Sequence, residues 1–138
     1  MDINDLIISD EALKVIDEGT WVGDFIDAPG LELLVTGLQA ESARKSIQQK
    51  QQAVRGKNRG RTLTDEQLAK VTKEVLYEVV LKDWRGLKSN GQELKYSKEQ
   101  AKKWITSRNG EKFTGLVLEA AQRVDSEAND LIEEVKKN

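Results

Sequence analysis

The chain has 138 residues, a third of them charged, with 22 Lys and Arg against 24 Asp and Glu and a net charge of -2. It contains no cysteine and no histidine, which removes disulfides, thiolate nucleophiles and sulfur-ligated metal sites, together with the commonest general base and metal ligand. The length predicts a single domain able to bury roughly two thirds of its unfolded surface, with a core of Leu, Ile and Val filled out by three tryptophans.

No apolar run approaches the roughly 20 residues that span a bilayer. The opening residues Met1-Asp2-Ile3-Asn4-Asp5 are acidic where a secretion signal would be basic. Composition therefore predicts a soluble, non-catalytic protein of the cytoplasm with no cofactor, no metal and no membrane partner. The fold class expected is α+β, mainly α: a small N-terminal β-hairpin covered by four to five helices.

In chain order, Leu6, Ile7 and Ile8 precede a short helix that Ser9 or Asp10 can cap. Leu13 and Ile16 form its inner face and Gly19 stops it. Residues 20–37 read as the hairpin. Trp21, Val22, Phe25 and Ile26 make the first arm, Asp27-Ala28-Pro29-Gly30 the turn, and Leu31, Leu33 and Val35 the inner face of the second arm. Glu32 and Thr36 point outward, and Leu34 breaks the alternation.

Gln39 to Val54 is helical but carries only Ile47 and Val54 as larger apolar residues, so it should face solvent. Residues 55–63 read as a mobile basic loop. Thr64 with Gln67 is a capping-box pair opening the clearest helix, whose stripe Leu68, Val71, Val75, Leu76, Val79 and Val80 should carry it to Trp84, where Gly86 releases it. Glu78 and Lys82 would pair at i, i+4 along it. A turn through Gly86 and Gly91 leads to Ser97, which with Gln100 caps a helix burying Ala101, Trp104 and Ile105 and stopping at Asn109-Gly110. The last helix, Lys112 to Val135, is ~36 Å long at 1.5 Å per residue, so its far end, within 125–138, should overhang the core.

No carboxylate pair lies in a recognisable catalytic motif, and no glycine pattern suits a phosphate loop. The sharper feature is basic: Arg44, Lys45, Lys50, Arg55, Lys57, Arg59 and Arg61 occur with no acid among them. Such a run suits nucleic-acid backbone or an acidic protein surface. No aromatic residue is interleaved for base stacking, which favours a protein partner or a solvated face over nucleic acid.

The junction Asp83-Trp84-Arg85-Gly86-Leu87, followed by Asn90-Gly91 and by Tyr96-Ser97 opening a helix with Ala101, resembles the tail assembly chaperones of long-tailed bacteriophages. Gly19-Thr20-Trp21-Val22, Leu31-Glu32-Leu33 and the basic Ala43-Arg44-Lys45 are similar to the family's N-terminal part, so the likeness spans Gly19 to about Val124. It implies a protein of the host cytoplasm, missing from the mature virion, that keeps the helical tape measure protein soluble and recruits tail tube protein. A homo-oligomer is a separate expectation, since self-assembly would shield exposed apolar surface. Such proteins often have a longer, frameshifted form, for which Lys136-Lys137 would suit a slippery codon run. On this reading Trp21, Asp83, Trp84, Gly86, Leu87, Gly91, Tyr96, Ser97 and Trp104 are scaffold. Partner contacts would fall to Leu34 on the hairpin, to Arg44, Lys45, Arg55, Lys57, Arg59 and Arg61, and to Leu131, Ile132 and Val135 on the overhanging helix. Two alternatives are a phage or bacterial nucleic-acid-binding regulator using residues 44–61, and a structural head–tail or neck component.

Overall fold

The helix that opens at Thr64 stops at Val75, far short of Trp84, and the residues after it form a strand. In the computed structural model, which describes the backbone of residues 1–137 and the side chains of residues 1–131, the elements run as follows. A 3-10 turn at Ile3–Asp5 precedes α1 (Asp10–Glu18), β1 (Thr20–Val22), β2 (Glu32–Val35), α2 (Glu41–Lys57) and α3 (Asp65–Val75). A π-helical turn at Leu76–Val80 leads into β3 (Leu81–Arg85), then β4 (Lys88–Ser89), β5 (Gln92–Glu93) and α4 (Lys98–Ile105). A 3-10 turn at Arg108–Gly110 precedes α5 (Glu111–Lys137). The architecture is α+β and mainly α.

The expected two-stranded hairpin is a three-stranded antiparallel sheet in the order β1-β2-β3. A two-stranded ribbon is marginal in water, and the third strand supplies what the hairpin lacked. Thr20, Trp21 and Val22 pair with Val35, Leu34 and Leu33, while Glu32, Leu33 and Leu34 pair with Arg85, Trp84 and Asp83 on the other side. The register then shifts so that Val35 faces Leu81, leaving Lys82 as the extra residue of a bulge.

Lys82 therefore cannot pair with Glu78 along a helix; its Nζ instead donates to the Glu18 carbonyl at the C-terminal end of α1, 3.0 Å away. The π turn makes the conversion from helix to strand. The Leu81 N–H donates to the Leu76 carbonyl, five residues back, and the wide turn buries Leu76, Tyr77 and Val80. Periodicity alone could not show this, because Val79, Val80 and Leu81 serve a helix stripe or a buried strand equally well.

Several smaller expectations are corrected. In α1 the buried face is Ala12 and Ile16, and Leu13 is exposed. The first hairpin arm ends at Val22; Phe25 is buried in the turn, bridging Ala28, while Ile26 is fully exposed. Thr36 is buried, because its N–H donates to the Val80 carbonyl and its hydroxyl to the Gly37 carbonyl. The segment expected as a basic loop is helical through Lys57. Its turn is pinned where Asn58 and Gln67 exchange two side-chain hydrogen bonds of 2.8 and 3.1 Å.

Other readings hold. Ser9 caps α1, the Thr64–Gln67 capping box is complete, and Ser97 accepts from the Gln100 N–H. Helix α2 buries only Ala43, in keeping with its thin apolar stripe.

Helix α5 crosses behind the sheet and along α1, burying Val117, Ala120, Ala121, Val124, Ala128 and Leu131. The alanines let it lie close. At Glu127 the backbone departs from helical geometry (φ -120°, ψ 20°). Just before this kink, Asp125 accepts from the backbone N–H groups of Leu38 and Gln39, each at 3.0 Å. Its carboxylate fills the space beside Gly37, where a Cβ would overlap Oδ1.

Replacing Asp125 by Ala should cost about 2 kcal/mol in urea unfolding at neutral pH, through two N–H groups that lose their acceptor. Burial pushes the Asp125 carboxyl above its ordinary value, against the lowering effect of the Gln39 and Leu38 N–H groups. A raised folded value means that the contribution is full below the ordinary carboxylate range and declines as pH rises through the raised value. The gap between wild type and Asp125→Ala should therefore widen on acidification.

Candidate interaction surface

The junction at Trp84 is a packing centre. Trp84 sits opposite Leu33 on the inner face of the sheet and is buried. Its ring stacks on Trp104 with centroids 5.4 Å apart and meets the edges or faces of Tyr96 and Phe113 at 5.0 and 5.7 Å. Its Nε1 donates to the Leu94 carbonyl at 2.8 Å. Leu94 belongs to the segment after the β4–β5 hairpin, whose turn residues Asn90 and Gly91 have φ of 54° and 82°, the two-residue turn that an Asn-Gly pair favours. That pair was a readable hairpin signal, obscured because the flanking Lys88, Ser89, Gln92 and Glu93 are all exposed and carry no alternation. Asp83 accepts from the Trp84 N–H, Leu87 is half-buried against the core, and Ser97 caps α4. Of the expected scaffold, Trp21 and Asp83 lie on the outer face of the sheet, in one cross-strand row with Leu34.

That outer face is closed by charge. Arg85 lies over the Trp21 ring at 4.1 Å and grips Glu32 through two bonds of 2.8 and 3.0 Å. The Arg85 guanidinium holds the Glu32 carboxyl below its ordinary value. Leu34 is half-buried between Trp21 and Asp83. A shallow depression of about 490 Å³ next to it is lined by Trp21, Asp24, Glu32, Arg85, Arg123 and Leu131. Both arginines are engaged, since Arg123 donates to the Gly23 carbonyl at 2.6 Å, so the depression offers no free cation to a ligand.

The residues expected to touch partners do not converge. Leu131 is buried in the core beside Ala128 instead of overhanging it, because α5 stays packed along α1 past the kink; Ile132 and Val135 lie outside the described side chains. The cations form their own surface on the paired α2 and α3. Lys50 is spent on Glu74 and Glu78 at 3.0 and 2.9 Å, and the Glu78 and Glu74 carboxylates hold its ammonium above the ordinary value. Arg44, Lys45, Arg55, Lys57, Arg59 and Arg61 are exposed and form no ion pair among the described residues.

A second surface was not anticipated. Ile3, Leu6, Ile7 and Ile8, with Leu13 on α1, are between 44% and 64% exposed. The unbroken Leu6-Ile7-Ile8 run, set between Asp5 and Asp10 without helical spacing, was the available signal. Among the described residues there is no group of three or more acidic side chains that could hold a metal, and no helix is long and apolar enough to cross a membrane.

In comparisons with known proteins, a family model described as YdaY prophage protein matches residues 38–138. No curated protein and no solved structure matches the chain.

Proposed function

This chain belongs to the YdaY prophage protein family and is of phage origin, and from that premise we propose that it is a non-catalytic tail assembly chaperone. In this reading it binds the tape measure protein, keeps it soluble and recruits tail tube protein in the host cytoplasm. One observation carries the reading: a protein with a closed core leaves a cluster of large aliphatic side chains open at Ile3, Leu6, Ile7, Ile8 and Leu13. Exposed apolar surface bordered by charge is what a holdase offers an aggregation-prone helical client. Asp2, Asp5 and Asp10 supply that border.

Co-expression with a phage tape measure protein should raise the client's soluble yield several-fold, read by quantitative gel of the cleared lysate. An unchanged yield would sink the reading. Purified virions should lack the chain by mass spectrometry, whereas a head–tail or neck component would be retained.

The second reading, a nucleic-acid-binding regulator, is favoured by the six cations of residues 44–61 that form no ion pair among the described residues. Binding through phosphate contacts must weaken steeply between low and moderate salt, so a gel shift at the two ionic strengths separates it from a protein-binding role.

A further inference from the structure

Eight large apolar side chains are exposed among the described residues, and six of them, Met1, Ile3, Leu6, Ile7, Ile8 and Leu13, fall within the first thirteen positions. The first eight residues fold into a local turn, with Asp2 accepting from the Asn4 N–H, yet bury nothing. The link at their base is the Ser9 hydroxyl donating to Asn129 Oδ1 at 3.4 Å. The segment is acidic, with Asp2 and Asp5 and no basic side chain before Lys14.

The α2–α3 pair has the opposite character. Arg55, Lys57, Arg59 and Arg61 form no ion pair among the described residues and outnumber Asp65 and Glu66 at its tip, where Leu68 is 40% exposed and Leu63 half-buried. An anionic lipid or a nucleic acid would satisfy the cations but leave the acidic apolar segment open and repelled. A second copy of the chain satisfies both at once.

We propose that residues 1–8 of one copy seat on the tip of the α2–α3 pair of another, in a reciprocal twofold dimer. Ile3, Leu6 and Ile7 cover Leu63 and Leu68, and Asp2 and Asp5 meet Arg59 and Arg61. Each molecule has one such segment and one such tip, so a twofold closes the exchange with nothing left over, whereas an open exchange would propagate into filaments. The dimer shields the apolar segment in the absence of a client, and it stands whether or not the chaperone reading does.

Sedimentation of the full chain at about 100 µM and low salt should give twice the monomer mass, with dissociation favoured as salt screens the contact. The double variant Leu6→Asp, Ile7→Asp should be monomeric with an unchanged circular dichroism spectrum, since neither side chain is buried. Arg61→Asp should weaken the dimer by about tenfold, and adding Asp5→Arg should restore it. A monomeric wild type, or a dimer that ignores the Leu6 and Ile7 variants, overturns the proposal. A monomeric wild type whose Leu6→Asp, Ile7→Asp variant no longer solubilises the tape measure protein also overturns it, by giving the segment to the client. Loss of the dimer with client solubility intact supports the dimer and detaches it from the chaperone role.

Discussion

Trp84→Ala is expected to cost about 3–5 kcal/mol, a large share of the roughly 5–15 kcal/mol that stabilises an ordinary domain. The side chain is 3% exposed and touches three other aromatic rings. It does more than fill space, because its ring joins the sheet to α4 through Trp104 and to α5 through Phe113, while its N–H holds the segment after β5 through Leu94. Trp84→Phe separates these contributions. It retains a ring and loses the donor, leaving the Leu94 carbonyl without its partner, and should cost about 1–2 kcal/mol beyond the cavity it opens. The measurement is the urea midpoint at constant slope. A loss under about 1 kcal/mol for the alanine variant would show that the aromatic cluster is not the organising centre.

The second large effect is at Gly86. Its φ is 81°, a left-handed conformation, and a Cβ there would overlap the Gly30 carbonyl oxygen in the turn between β1 and β2. Gly86→Ala should therefore cost about 3 kcal/mol or more, with backbone strain and a steric clash acting together. Gly91 is the control. Its φ is 82°, almost the same, but no atom lies within 4 Å of its would-be Cβ. Gly91→Ala should cost only the conformational part, about 1 kcal/mol. Equal losses at the two positions would remove the Gly30 contact as the cause and leave conformation alone.

The two glycines also show where reading the sequence succeeds and where it stops. Both were recognisable as turn residues between Trp84 and Ser97, because glycine alone adopts a positive φ without strain. The caps at Ser9, Thr64 and Ser97 were recognisable because each joins a side chain to a backbone N–H three residues away. The solvent-facing character of α2 was equally plain, since a helix with two larger apolar residues has little to bury. What lay beyond local reasoning was the fate of Leu81–Arg85. A stripe running from Val71 to Val80 predicts more helix, and only the unpaired edge of β2, some fifty residues earlier, makes a strand the better outcome.

The candidate surface divides along the same line. The basic run 44–61 was legible as composition. That Lys50 is spent on Glu74 and Glu78 while its neighbours form no ion pair among the described residues depends on how α2 lies on α3. Helix length alone predicts an overhang at Leu131, and it is core because α1 and α5 remain packed that far. The exposed Leu6-Ile7-Ile8 was visible as a run of apolar residues. Its exposure could not be read, because an aliphatic run is the usual mark of something buried.

By itself, then, the amino-acid order determined the elements whose causes are local: the capped helices and the Pro29-Gly30 and Asn90-Gly91 turns. Of the three tryptophans expected to fill the core, Trp84 alone is buried, and alanines take much of the remaining space. The tertiary structure decided that the stretch around Trp84 is the third strand of the sheet and not the end of a helix. The physical reason is backbone hydrogen bonding. β2 has N–H and C=O groups on both edges, a hairpin satisfies only one, and the Leu81–Arg85 segment is the part of the chain that reaches the other.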